Sequence, residues 1–274
     1  MSSAETKTRL AATLLLARDS ADGLELFMVV RHHEIDFASG AMVFPGGSVD
    51  TADSDPRLRA LSDGVADLDD AALTVRVAAA REAFEECGVL FARDTNANGI
   101  VDGARAQALG TRYRHDLEAN TITFVGMLER EQLRLVLGEM VHFAHWVTPE
   151  NMPKRFDTHF FLASAPADHS LEHDGTEAVD SVWIRPDQAC AAADAGTRTV
   201  IFPTRLNLEK MAESVTVGDA ITRARARNVV CVRPEVSKVD GGRVLTIPLA
   251  AGYGAAEFFV ASAAGKRAVI ERRG

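Results

Sequence analysis

The nine residues from Arg81 to Val89 constrain this chain more than any other segment. The carboxylates of Glu82, Glu85 and Glu86 stand at spacings that share one face of a helix, where like charges repel one another. A bound cation would neutralise them. Carboxylate oxygens favour a hard ion, Mg²⁺ or Mn²⁺, and Mg²⁺ usually bridges a few carboxylates to substrate phosphates. The segment therefore predicts a metal-dependent enzyme that acts on a phosphate compound.

The surrounding residues predict a helix over 71–87. Its apolar positions recur at intervals of three and four residues and form one buried stripe: Val77, Ala80, Phe84 and Cys87. The three glutamates lie away from most of this stripe, and Gly88 suits the position that ends a helix. Upstream, Gly46 and Gly47 follow Pro45 and allow the backbone to approach a ligand closely or to turn sharply.

Apolar runs and turn residues predict the remaining elements. Strands are expected at 10–16 and 24–30 (a hairpin), 144–149, 158–163, 181–185, 243–247, 258–261 and 267–271, with a last hairpin turning at 264–266. Helices are expected at 129–137, 186–195, 206–214 and 217–226. The acidic stretch 48–70 is expected to be a solvated, irregular loop. Helices alternating with groups of strands predict an α/β or α+β sandwich.

Composition limits the classes of function. The net charge of −9 argues against a general nucleic-acid binder or a membrane-surface binder. Three cysteines far apart suggest neither a disulfide framework nor a cysteine-based zinc site, which fits a reducing compartment. The sequence has no apolar signal region near its start and no run of 18 apolar residues. We therefore expect a cytoplasmic protein.

The segment Arg81–Val89, together with Gly47, resembles the Nudix box, G-x5-E-x7-R-E-U-x-E-E-x-G-U, in which U is a bulky apolar residue. Its second half matches with Ala83 at the first U. The pattern sets its glycine and arginine 14 positions apart, whereas Gly47 and Arg81 are 34 apart. This difference predicts an insertion of about 20 residues within 48–70. Counted back from Arg81, the box glutamate falls on Leu73, and Asp50, Asp69 and Asp70 are the candidate substitutes.

An interrupted box is similar to that of the coenzyme A and acyl-coenzyme A diphosphatases, one branch of the family. The segments 44–50, 146–149, 155–161 and 203–204 add to this similarity. The resemblance implies a Nudix-type α/β/α sandwich with a mixed sheet over 8–215. It leaves 216–274 as a helical and strand extension packed on the same domain.

The resemblance also implies roles for individual residues. Glu82, Glu85 and Glu86 would be the metal ligands, with Glu86 the foremost direct ligand, and Arg81 would orient a helix carboxylate. Glu177 would be a fourth ligand or the general base, in competition with Glu172, Asp174 and Asp180. The predicted catalytic residues are thus Arg81, Glu85, Glu86 and Glu177.

Contacts to the bound substrate are predicted from the residues themselves. Gly46 and Gly47 are expected beside the ligand, and Arg31, at the end of the second strand, is expected to contact a phosphate. His142 and His145 are three positions apart, but the sequence places no third ligand, so we expect core or surface histidines. Arg155 and Asp157 are expected either to line the cleft or to form a structural ion pair.

The expected activity is hydrolysis of a nucleoside diphosphate linked to another group, with coenzyme A or an acyl-coenzyme A favoured. ADP-ribose, NADH and dinucleoside polyphosphates are the alternatives. A nucleotide-binding regulatory module without turnover is the rival interpretation, supported by Leu73 and opposed by the intact glutamates. Mg²⁺ or Mn²⁺ is the expected cofactor, and a homodimer is the default, since family members often dimerise.

Overall fold

The main sheet is mixed and sits at the centre of the fold. The computed structural model describes residues 7–31, 40–150, 152–171, 178–261 and 270–273. The strands of this sheet are β1 (Arg9–Ser20), β2 (Gly23–Arg31), β3 (Met42–Val43), β4 (Gly46–Ser48), β8 (Val141–Val147), β9 (Phe156–Ser164), β10 (Ala178–Ile184) and β11 (Cys231–Val232). Their order is β10-β2-β1-β9-β8-β11, with β3 beside β2 and β4 beside β1. β1 runs antiparallel to β2 and parallel to β9, so the predicted hairpin and the predicted mixed sheet are confirmed.

Helices cover both faces of this sheet. One face packs against α2 (Asp70–Cys87), α3 (Gly103–Glu118) and α4 (Phe124–Arg130). The other packs against α5 (Pro186–Asp194), α6 (Phe202–Met211) and α7 (Val217–Arg225). β1 is central, and both of its faces are therefore buried: Leu14 and Leu16 lie on the α2 side, and Leu15 lies on the other. The arrangement is the α/β/α sandwich that was expected.

α2 forms as its sequence predicts. The Asp69 carboxylate caps its first turn by accepting the Ala72 N–H at 2.7 Å, and Gly88 ends it with a left-handed φ of 72°. The predicted stripe of Val77, Ala80, Phe84 and Cys87 is buried. The helix consequently turns its glutamates away from the core.

The insertion is more ordered than expected. It contains a short helix α1 (Arg57–Ala60) and strand β5 (Ser62–Asp63), which joins β7 (Leu133–Val136) and β6 (Ala92–Asp94) in a three-stranded sheet. Leu58 and Asp53 are buried, so the expectation of a solvated loop was wrong. The predicted helix over 129–137 was also wrong. Gln132, at a φ of 54°, separates α4 from β7, whose buried residues alternate.

The C-terminal segment adds a four-stranded antiparallel sheet. Its strands are β12 (Glu235–Val239), β13 (Gly242–Thr246), β14 (Glu257–Ala261) and β15 (Ile270–Arg273). β12 was not predicted, whereas the pairing of β14 with β15 was; its turn at 264–266 lies outside the described residues. Phe258 is fully buried in the core that underlies α5–α7, and the Tyr253 hydroxyl donates to the Asn207 Oδ1 at 2.7 Å. The boundary at residue 215 stays a prediction.

None of the described helices is both long enough and apolar enough to cross a bilayer.

Candidate functional site

A cleft of about 1030 Å³ opens where the end of α2 meets β1 and β4. Glu82 and Glu85 of α2 line one side, next to Gly46 and Gly47. We call Glu82, Glu85 and Glu86 the acidic cluster. The cleft is also lined by apolar residues of the C-terminal sheet, the main sheet and α6: Phe156, Phe160, Trp146, Phe202, Val236 and Leu245. The cleft is thus lined by charged side chains as well as by apolar ones.

Arg81 organises the acidic cluster from within. Its Nη1 lies 2.7 Å from the Glu85 Oε2 and 2.9 Å from the Glu82 Oε1. Its Nε and Nη2 lie 2.8 and 2.9 Å from the two carboxylate oxygens of Asp53, and Nη2 also donates to the Ser48 carbonyl at 3.0 Å. The planar guanidinium therefore fixes three carboxylates in one arrangement. An orienting role for Arg81, which the resemblance implied, requires contacts of this kind; the role itself remains a prediction.

Asp53 is the site residue that the sequence interpretation missed. It lies six positions after Gly47, which is where the box pattern has its glutamate when it is counted forward from the glycine. Counting back from Arg81 crossed the insertion and gave Leu73, which is buried in the core. The extra residues therefore lie between Asp53 and Arg81.

Within the described residues, none of the three proposed substitutes for the box glutamate forms a hydrogen bond or an ion pair with Arg81. Asp50 accepts the Ala52 N–H at 2.7 Å and caps a 3₁₀ turn. Asp69 caps α2, and Asp70 pairs with Arg59 at 2.8 Å. These acids hold local structure in and beside the insertion, and their assignment as substitutes was wrong.

The two glycines bring the backbone against the acidic cluster. The Gly46 N–H donates to the Glu86 Oε2 at 2.8 Å, and Gly46 has a φ of 149°, which other residues rarely adopt. A Cβ on Gly47 would lie 2.6 Å from the carboxylate atoms of Glu82. Only glycine leaves room for that carboxylate in its present position.

Burial shifts the titration of the acidic cluster. It raises the pKa of Glu82 to about 7; Arg81 opposes this shift and the neighbouring Glu85 adds to it. Burial also raises the pKa of Glu85, again opposed by Arg81. One guanidinium thus serves several buried carboxylates, and negative charge remains uncompensated. An all-oxygen donor set with excess negative charge fits a hard divalent cation.

Several predicted residues cannot be placed. Glu177, with its competitors Glu172 and Asp174, lies outside the described residues, as does the side chain of Arg31. Asp180, the last competitor, is described and lies 3.3 Å from Arg198. The roles of Glu177 and Arg31 remain predictions.

A basic pair lines the same cleft as Glu82 and Glu85. Lys238 and Arg243 line it, and they are directly opposite each other in the β12–β13 ladder. Within the described part of the chain, neither side chain has an ion-pair partner. No sequence motif marked these residues, because their proximity depends on a strand pairing that was not predicted.

The histidines interpreted as core or surface residues form a cluster with two further side chains. The His145 Nε2 lies 2.5 Å from the Asp157 Oδ1, and the His142 Nε2 lies 3.2 Å from the His159 Nδ1. Burial and the neighbouring imidazoles lower the pKa of His142 and His159 to about 4. Asp157 therefore contacts a histidine, while its neighbours Phe156 and Thr158 line the cleft.

Comparisons with known proteins show which family and which fold this chain resembles. A family model described as the NUDT19 Nudix domain matches residues 62–206. The Caenorhabditis elegans protein named "Putative nudix hydrolase 7" is 27% identical over 75% of this chain, which spans 61% of the length of that relative. The Xenopus laevis protein named acyl-coenzyme A diphosphatase NUDT19 is 22% identical, over 84% of this chain and 72% of the relative. A crystal structure of a NUDIX hydrolase from Alicyclobacillus acidocaldarius superposes with a TM-score of 0.65 at 26% identity, covering 80% of this chain and 97% of that one.

Proposed function

This chain belongs to the Nudix hydrolase family, and we propose that it is a metal-dependent diphosphatase whose substrate is coenzyme A or an acyl-coenzyme A. One observation carries the choice of substrate: Glu82 and Glu85 of the acidic cluster line the same cleft as the basic pair. Coenzyme A has a diphosphate and, separate from it, a 3′-phosphate on its ribose. A site for it needs a place for each group.

We assign the diphosphate to the acidic cluster. Glu82, Glu85 and Glu86 would hold Mg²⁺ or Mn²⁺, which neutralises diphosphate charge and lowers the pKa of a bound water. Arg81, held by Asp53, keeps Glu82 and Glu85 in place, and the two glycines let the diphosphate of the substrate come close to α2. Glu177 is proposed as a further ligand or as the base that takes the proton from water.

We assign the 3′-phosphate to the basic pair. Like charges directly opposite each other in an antiparallel ladder destabilise it, so Lys238 and Arg243 are a cost to the fold that an anion would relieve. Their exposure allows a phosphate to reach them. The apolar wall, which includes Phe156 and Phe202, would cover the pantetheine and acyl parts.

The rival interpretation, a binding module without turnover, loses its main support. It rested on Leu73 in place of the box glutamate, and Asp53 contacts Arg81 instead. The Asp53 carboxylate is buried and forms a bidentate contact with the Arg81 guanidinium, which orients that side chain.

The test compares substrates that differ by one phosphate. Turnover of coenzyme A, 3′-dephospho-coenzyme A, an acyl-coenzyme A, ADP-ribose, NADH and diadenosine polyphosphates would be measured with Mg²⁺ and with Mn²⁺. We expect coenzyme A or its acyl form to give the highest kcat/KM. The double variant Lys238→Ala/Arg243→Ala should raise the KM for coenzyme A roughly tenfold and leave that for the dephospho form unchanged.

The matched control is Arg223→Ala, an arginine paired with Asp219 on α7. It should change neither KM. Equal kcat/KM for the two forms of coenzyme A would reject the role of the basic pair. No turnover of any compound would reject the diphosphatase itself.

A further inference from the structure

A row of chemically reactive side chains crosses three neighbouring strands of the main sheet. Cys231 of β11 is paired with His145 of β8, and His145 is paired with His159 of β9. Residues paired across strands project to the same face of a sheet. On β9, Phe156, Thr158 and Phe160 line the cleft, so the alternating residues Asp157 and His159 face away from it. The row is therefore separate from the site of the proposed diphosphatase.

On this face of the sheet, three potential ligand atoms, one each from His145, Asp157 and His159, already lie close together. The His145 Nε2 and the His159 Nε2 are 2.5 and 3.9 Å from the Asp157 Oδ1, and one ligand atom from each of the three residues falls within 4.8 Å of the others. Ligands held about 2.0–2.2 Å from a tetrahedral ion stand roughly 3.4 Å apart. Small side-chain movements would bring the three atoms to that spacing.

His142 contacts the ring nitrogen of His159 that is not needed for binding the ion. Its Nε2 lies 3.2 Å from the His159 Nδ1. When His159 donates a proton from Nδ1 to His142, its Nε2 carries the lone pair, and that atom is on the Asp157 side. A histidine that binds a metal usually donates its other ring N–H to such a partner, which fixes its tautomer and orientation.

We propose that His145, His159 and Asp157 bind one borderline divalent transition-metal ion of the Zn²⁺ type, with Cys231 as the fourth ligand. The thiol of Cys231 is free and exposed on the neighbouring strand, and it completes the set by rotating its side chain toward His145. Imidazole and thiolate donors select Zn²⁺ and Co²⁺ over Mg²⁺, unlike the all-oxygen acidic cluster.

The ion has a structural role in this proposal. β11 is only two residues long and forms an edge of the main sheet, and three residues later the chain enters β12, which carries Lys238. An ion shared by β8, β9 and β11 fixes the position from which the C-terminal sheet begins. It would thereby stabilise the wall of the cleft without taking part in chemistry there.

The experiment uses the full chain after chelator treatment. Co²⁺ is added to the metal-free protein and the visible and near-ultraviolet spectra are recorded. Zn²⁺ is then titrated against a chromophoric chelator. We expect one equivalent of Co²⁺ to give tetrahedral d–d bands with a thiolate-to-cobalt charge-transfer band, and one equivalent of Zn²⁺ to abolish both. Excess Mg²⁺ should leave the spectrum unchanged.

Variants separate this ion from the acidic cluster. Cys231→Ser should remove the charge-transfer band, and His159→Gln should lower Zn²⁺ affinity at least a hundredfold. His142→Ala should lower it by 10–100-fold, as expected for the partner of a ligand. Glu86→Gln and the exposed His115→Ala should retain the wild-type spectrum.

His145→Gln is a second ligand variant in case His159→Gln does not fold, as judged by circular dichroism. Cobalt bands that persist in Cys231→Ser and in both histidine variants would overturn the proposal. So would a metal-free wild-type protein that gives no tetrahedral cobalt spectrum.

Discussion

Glu82 and Glu85 of the acidic cluster line the same cleft as the basic pair, but the two sets of charges differ in burial and in pairing. Glu82 and Glu85 are nearly buried and share the guanidinium of Arg81, which Asp53 holds from the other side. Lys238 and Arg243 are exposed and oppose each other across a ladder. The first set of charges is a nearly buried ion-pair network in the wall of the cleft. The second set is an exposed pair of like charges that adds nothing to the stability of the fold. Removing a member of each should therefore have different consequences.

The largest effect is expected for Asp53→Ala. It leaves the buried guanidinium of Arg81 without its two-pronged partner and should lower the free energy of unfolding by about 3–5 kcal/mol. Asp69→Ala removes an exposed N-cap from α2, the helix that carries Arg81, and should lower the free energy of unfolding by only about 1 kcal/mol. Urea unfolding of both variants measures the difference. Equal losses would mean that Asp53 is not part of the ion-pair network.

Glu86→Gln should act on turnover instead of on folding. The amide oxygen can still accept the Gly46 N–H, so the fold is retained, while one negative charge of the proposed metal site is lost. We expect kcat to fall by about 10²–10³-fold, which corresponds to about 2.7–4 kcal/mol. Glu129→Gln, at an exposed position paired with Arg57, is the matched control. An unchanged kcat in Glu86→Gln would remove this residue from the metal site.

The same contrast explains what could be predicted from sequence. α2 and its glutamates follow from local periodicity, and the hairpin of β1 and β2 follows from two apolar runs around a turn. Asp53 could have been predicted, because counting six positions forward from Gly47 identifies it, whereas counting back from Arg81 crosses the insertion and misses it. Lys238 and Arg243 could not be predicted as a pair, because β12 is polar and largely exposed and its partner strand is set by the fold.

The pH dependence of stability tests the burial of Glu82. Its pKa rises from an ordinary 4.5 to about 7 on folding, so the folded state holds a proton that the unfolded state releases. Measured in chelator and relative to Glu82→Gln, the wild-type free energy of unfolding should be highest below pH 4.5. It should fall by up to about 3 kcal/mol as the pH rises to about 7. Added Mg²⁺ should reduce this loss, and parallel profiles for the two proteins would contradict it.

Gly47→Ala should disturb the acidic cluster without unfolding the protein. The new Cβ would meet the end of the Glu82 side chain, which can rotate away at little cost in stability but leaves its position. We expect kcat/KM to fall about tenfold, or about 1.4 kcal/mol, with a change in stability below about 1 kcal/mol. Gly218→Ala, whose Cβ would have no neighbour closer than 3.9 Å, should leave kcat/KM unchanged.

The smallest effect on stability is expected for Lys238→Ala. Because this side chain has no ion-pair partner in the described residues and opposes Arg243, its loss should change the free energy of unfolding by no more than about 0.5 kcal/mol, in the stabilising direction. Salt screens the repulsion in the wild type, so the difference should shrink as ionic strength rises. Lys210→Ala is the contrasting lysine, since its buried Nζ donates to the Ala251 carbonyl at 2.8 Å, and it should cost about 1–3 kcal/mol. If both variants lost stability equally, Lys238 would be a structural residue, and the basic pair would resemble the acidic cluster after all.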